Sequence, residues 1–228
     1  LTSGAGNVAV GYQALDAATD SDYNTAVGHA ALSAVNSSGD GLNTAVGRIS
    51  GGLLTDGVGN TYMGAGAGYT NATGDSNTYV GLQAGYGSAS GNNSNNVAVG
   101  KDALEVVTTG SDNIVIGVDA ADSITTANKT VFIGTSAGST VTVTGGSNVS
   151  DGSIGIGYHA LTALTSGAGN TAVGYQAADS VGTGGNNTIV GYTALATANT
   201  AALNNTALGS GALGSASSST TAGNIAIG

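Results

Sequence analysis

Asn170-Thr171-Ala172-Val173-Gly174-Tyr175-Gln176-Ala177-Ala178 is the stretch that decides the fold. Its first five residues follow the pattern Asn-x-apolar-apolar-Gly, and that pattern comes round thirteen times between Gly11 and Gly228. Successive motif glycines lie 17, 19, 17, 17, 19, 17, 17, 23, 17, 17, 18 and 19 residues apart. A period this regular, filling a chain from end to end, marks a stacked repeat in which each unit packs mainly on its neighbours. All 228 residues therefore read as one repeat array, a segment of a longer fibre, with a local insertion at 140–153 where the 23-residue spacing falls.

Composition selects the secondary structure. Only 7% of the residues are charged and 41 are glycine, while good helix formers such as Glu, Lys and Arg are scarce. That mixture disfavours helix and suits short strands joined by tight turns. Proline is absent, so no strand is denied a ladder hydrogen bond. The expected class is all-β, a parallel β-roll or β-solenoid of thirteen rungs of about 17–19 residues.

Within a rung, alternate side chains face opposite ways. The fourth motif position is Val, Ile, Met or Leu in every rung, which predicts a core face. The third position is also mostly apolar, from Ala9 and Ala26 through Tyr62, Tyr79 and Phe132 to Ala226. Both faces are then expected to be buried. A rung of 17 residues wraps a narrow roll that covers only one of them, so the other is expected to meet further copies of the chain. Tyr62, Tyr79 and Phe132 are expected in that interchain core.

Asparagine opens eleven motifs: Asn7, Asn24, Asn43, Asn60, Asn77, Asn96, Asn113, Asn170, Asn187, Asn205 and Asn224. Asn tolerates left-handed turn geometry, and stacked amides can both donate and accept, so a structural ladder along one corner is expected. Thr130 and Ser153 interrupt it. Three residues after the motif Gly comes Ala in eleven of twelve rungs, with Ser50 the exception, and the rest of each rung reads as polar loop.

Three basic residues (Arg48, Lys101, Lys129) against thirteen acidic ones give a net charge of −10. Three scattered cations cannot displace the counterions of a phosphate backbone, which argues against nucleic acid as a partner. No run of 18 apolar residues is available to span a bilayer, so no membrane insertion by this segment is expected. Zero cysteines remove disulfide and thiolate chemistry.

Stretches such as Asn7-Val8-Ala9-Val10-Gly11-Tyr12-Gln13-Ala14-Leu15 and Asn170 to Ala178 resemble the head repeats of trimeric autotransporter adhesins, the YadA-like heads. They are equally similar to repeats in bacteriophage tail-fibre proteins. The resemblance covers the whole chain. It implies a left-handed roll, three chains side by side as a homotrimer, and an extracellular place on a cell or virion surface. The implied function is a structural and adhesive rod that extends or presents a region for attachment to a host receptor or surface glycan. The alternatives are a bacteriophage tail-fibre shaft and a monomeric ice- or glycan-binding solenoid.

Catalytic groups are sparse. His29 and His159 lie far apart along the repeat, and the acids fall mostly in variable loops, so no enzyme and no cofactor is expected. Asp102 and Asp119 share one rung position, as do Glu105 and Asp122. Stacked carboxylates of this kind would hold a hard cation such as calcium, or splay into water as an acidic edge. Tyr158, Tyr175 and Tyr192 follow the motif Gly in consecutive rungs and form a candidate glycan-binding track or a plain packing ladder. The seven motif threonines could present an ice-binding face, but the expectation is that they point inward with the core residue.

Overall fold

The computed structural model describes residues 4–87, 91–140, 151–197, 201–214 and 222–228. Among them there is no helix, and the chain is a parallel β-solenoid in two compact units, Leu1–Asp112 and Asn113–Gly228. In the first, β1 (Val8–Val10), β3 (Thr25–Val27), β5 (Thr44–Val46), β6 (Thr61–Met63), β7 (Thr78–Val80) and β8 (Val97–Val99) pair in that order. The short strands β2 (Ser21–Asp22) and β4 (Gly39–Asp40) pair beside them. In the second, β9 (Ile114–Ile116), β10 (Val131–Ile133), β11 (Ile154–Ile156), β12 (Thr171–Val173), β13 (Thr188–Val190), β14 (Thr206–Leu208) and β15 (Ile225–Ile227) pair in sequence order.

Every pairing is parallel and matches motif to motif, as in Thr61↔Thr78, Tyr62↔Tyr79 and Met63↔Val80. The register survives the 23-residue spacing, where Val131 pairs with Ile154 and Ile133 with Ile156. Most of the insertion expected at 140–153 lies outside the described residues. The motif Gly stands where the adjacent backbone leaves no room for a side chain: a Cβ on Gly174 (φ 141°) would lie 2.3 Å from the carbonyl oxygen of Gly191. The turn that follows puts the second and fourth residues after the Gly in the left-handed region, for example Asp102 (φ 54°) and Leu104 (φ 56°).

The inside and outside of the strand are the reverse of the sequence expectation. The third motif position points into the roll of its own chain: Ala26, Ala45, Tyr62, Tyr79, Val115, Phe132, Ala172 and Ile189 are fully buried. Tyr62, Tyr79 and Phe132 thus fill their own rungs rather than an interchain core. The fourth position faces out, with Met63 and Leu208 exposed and Val27, Val46 and Val80 half-buried. The threonines of the second position face out with it. Period-two alternation allows either choice when both sets are apolar, and the buried asparagines settle it. Asn and the third position lie two residues apart and share the inner face.

The remainder of the rung is not all loop. Val35, Leu54, Val107, Ile124, Leu164 and Val181, each seven residues after a motif Gly, are fully or almost fully buried and complete the core with the alanine column. Ser50 departs from that alanine column to donate to the Tyr62 carbonyl oxygen at 3.1 Å.

Candidate functional site

The outward strand face repeats from rung to rung. In the first unit it carries Thr25, Thr44, Thr61 and Thr78 in register beside Val27, Val46, Met63 and Val80. In the second unit Thr171, Thr188 and Thr206 stand beside Val173, Val190 and Leu208, preceded by the wholly aliphatic β9, β10 and β11 faces. Parallel pairing sets about 4.8 Å between rungs, and the pleat about 6.6 Å between second and fourth positions. The result is two columns, one of hydroxyl and methyl groups or aliphatic side chains and one purely aliphatic.

Inside, the motif asparagines hydrogen-bond along one corner. The Asn77 Nδ2 donates to Asn60 Oδ1 at 3.0 Å and to the Asn93 carbonyl oxygen at 2.8 Å, and the Asn77 backbone N–H also donates to Asn60 Oδ1 at 2.9 Å. The same bonds link Asn43 to Asn24 and Asn60 to Asn43, and the Asn24 N–H donates to Asn7 Oδ1. Asn96 donates to Asn77 in the same way. In the second unit Asn187 donates to Asn170, Asn205 to Asn187 and Asn224 to Asn205. Thr130 donates to Asn113 Oδ1 through both its N–H and its hydroxyl, while Asn170 N–H donates to Ser153 Oγ at 3.3 Å. The corner is interior to the chain and offers no surface to a ligand.

Buried tyrosines are tied to this network. Asn71 Nδ2 donates to the Tyr62 hydroxyl at 3.0 Å, and the Tyr79 hydroxyl donates to Asn93 Oδ1. Burial raises both phenol pKa values well above the ordinary range. These hydroxyls stay protonated and act as fixed polar pegs.

Tyr158, Tyr175 and Tyr192 form one exposed column, with ring centroids 5.1 Å apart and interplanar angles of 15° and 12°. His159 stacks on Tyr158 at 4.1 Å. A sugar ring stacks on a free aromatic face. Within this column Tyr175 is covered on both faces by its neighbours, while Tyr192 at the end is the most exposed, at 59%. Tyr12 stacks likewise on His29.

The four carboxylates considered for calcium are divided, Asp102 and Glu105 in the first unit and Asp119 and Asp122 in the second. Among the described residues no three His, Cys, Asp or Glu side chains are placed to hold a metal ion. Asp102 forms an ion pair with its neighbour Lys101. Partial burial raises the Asp122 carboxyl from its ordinary pKa, with a smaller contribution from the charge of Asp119. No described helix is long and apolar enough to cross a membrane.

No protein-family model, no curated protein and no solved structure matches the chain.

Proposed function

We propose that this chain is a segment of a homotrimeric fibre at a cell or virion surface, which extends or presents an attachment region and carries out no catalysis. The outward strand face is the observation that supports this most. Met63, Ile116 and Leu208 leave 48%, 38% and 47% of their surface exposed in a single chain, and the same outward positions recur rung after rung. Covering such a row stabilises an assembly by about 25 cal/mol per Å² of apolar surface. Closed symmetry suits it, because each copy offers the same repeated face to the next. The same build would serve a bacteriophage tail-fibre shaft, and electron microscopy of the assembly in place separates the two locations.

Light scattering tests the trimer. The expected mass is three times 21.4 kDa. Val46→Glu combined with Val173→Glu, both on the outward column, should reduce it to one chain while the β circular dichroism signal persists. A wild-type chain that is folded and monomeric would sink the proposal.

The outward threonines favour a second reading. Thr25, Thr44, Thr61 and Thr78 align in register on an exposed or half-exposed face, the placement an ice-binding surface needs. A monomer of that kind would show thermal hysteresis that Thr61→Lys abolishes. The two readings compete for one face, so a trimer without hysteresis decides for the first.

A further inference from the structure

A notch interrupts the side-chain columns of the first unit just after the motif Gly. Elsewhere the two residues following that Gly include a bulky side chain in almost every rung, such as Tyr12-Gln13, Arg48-Ile49 and Leu82-Gln83. In the rung between Arg48 and Leu82 they are Ala65 and Gly66. The gap they leave has a volume of about 350 Å³ and is lined by Arg48, Ile49, Ala65, Gly66, Leu82, Gln83 and Tyr86. A Cβ on Gly66 would lie 3.2 Å from the Tyr86 ring and 3.6 Å from Gln83 Cγ, so both side chains close down on the floor. Tyr86 is held from behind by stacking on Tyr69 at 5.1 Å. The walls stand two rungs apart, roughly 10 Å at the spacing of parallel strands.

The chemistry of this notch is specific. Arg48 is exposed, and its guanidinium makes no hydrogen bond or ion pair with any described residue, in a chain whose net charge is −10. Arginine grips a carboxylate through two parallel hydrogen bonds. Gln83 offers one amide donor pair and one acceptor, the set that reads hydroxyl groups. Leu82 and the Tyr86 ring supply apolar surface of the kind that packs against the C–H face of a sugar. We infer that the notch between Arg48 and Gln83 binds one carboxylate-bearing pyranose unit of an acidic polysaccharide. The carboxylate lies on Arg48, the ring rests over Ala65 and against the Tyr86 side chain that covers Gly66, and its hydroxyls meet Gln83. This deepens the adhesive reading above by naming a ligand class, but it stands on its own residues and not on the oligomeric state.

The test is a titration followed by amide chemical shifts and by calorimetry, with cellobiouronic acid as the probe and neutral cellobiose as its match. The acid should bind saturably with shifts centred on Arg48, Ala65 and Gln83, at least about tenfold tighter than the neutral sugar, as a charge-assisted bidentate pair requires. R48Q should lower the affinity for the acid by about tenfold and leave the neutral sugar unchanged. A65L fills the floor without touching a left-handed residue and should abolish binding of both. Circular dichroism checks that each variant folds. Equal affinity for acid and neutral sugar, no saturable binding, or an A65L chain that binds normally would each overturn the inference. So would an acidic peptide that binds as tightly as the sugar acid, because the notch would then be a protein contact. Light scattering on the same samples keeps the two readings apart: a trimer that ignores the sugar removes this inference alone, and a monomer that binds it removes only the fibre.

Discussion

Gly85 has no side chain because the ring of Tyr79 stands where one would be. A Cβ on Gly85 would lie 2.3 Å from Cε2 of that ring. Gly68 stands in the same relation to Tyr62, and Gly138 to Phe132, each at 2.6 Å. Where the third motif position is Ala instead, as in Ala26 and Ala98, the matching residue is Leu32 or Leu104, and all four are buried. These rungs thus keep their core volume by trading size between two positions six residues apart, whereas Ala45 and Gly51 are both small and the space at Gly51 is taken by Leu32 and Tyr62. Gly85→Ala should cost about 2–3 kcal/mol by overpacking, and Tyr79→Ala about 3–5 kcal/mol through the cavity it opens. Tyr79→Ala with Gly85→Leu should cost less than Tyr79→Ala alone, since Leu holds that backbone geometry in other rungs. Urea denaturation of the four chains measures the coupling. Strictly additive energies would show that the two sites do not share a volume.

That same exchange explains what could be read in advance and what could not. Strand position, parallel order and register all follow from the spacing of the Gly motif, because only a stacked rung returns the same residues at a fixed interval. The direction of the third position does not follow from apolar character, since Ala172 and Val173 are both apolar and face opposite ways. A clue was present in the sizes: Tyr62, Tyr79 and Phe132 are each followed six residues later by Gly, a pairing expected of residues packed inside one chain. The core column of Leu54, Val107, Ile124 and Leu164 was likewise visible as an apolar residue seven places after the motif Gly, with Asn71 and Ser88 the exceptions. The Arg48 notch was hidden, because it is made by a small pair, Ala65-Gly66, between larger neighbours on two other rungs.

Asp122 should make the chain more stable in acid than at neutral pH, relative to a variant without it. Partial burial raises its folded-state pKa above the ordinary 3.8, and the nearby Asp119 adds to that. The folded state then binds the proton more tightly than the unfolded one, so stability falls as pH rises from the unfolded pKa through the raised folded one. Asp122→Asn removes the penalty. Its melting temperature should exceed that of the parent at neutral pH, and the gain should vanish below pH 3.8. A gain that stays constant across that range would mean the carboxylate is not desolvated enough to matter.

Asn77→Ala should destabilise the chain by roughly 1–3 kcal/mol. The Asn77 amide donates to Asn60 Oδ1 and the Asn93 carbonyl, and its oxygen accepts from the backbone N–H and the side-chain amide of Asn96. Alanine strands those buried groups at once. Asn77→Asp keeps the acceptor, loses the donor and places a charge at a fully buried site, so it should cost more. Equal losses for the two variants would mean that packing, not the amide's dual role, sets the energy.

The ladder of the second unit lapses at one step, and that step should be its weakest. Thr130 spends its hydroxyl hydrogen on Asn113 Oδ1 at 2.7 Å, and the Ser153 hydroxyl donates to the Gly167 carbonyl at 3.3 Å. Among the described residues no side-chain hydrogen bond joins Thr130 to Ser153, and the backbone bond from Val131 N–H to the Ser153 carbonyl, at 3.0 Å, carries the corner across. A hydroxyl has one hydrogen to give, whereas an amide donates twice and still accepts. Amide exchange among the interior strands β10 to β14, each paired on both sides, should therefore be fastest at β10 and β11, where no side-chain bond reinforces the step between them. Thr130→Asn with Ser153→Asn restores the residue found in the other eleven rungs, and should slow that exchange and add about 1–2 kcal/mol of stability. If protection is already uniform from β10 to β14, or if the double substitution changes nothing, the strand ladder alone sets local stability and the corner amides contribute only to the turn.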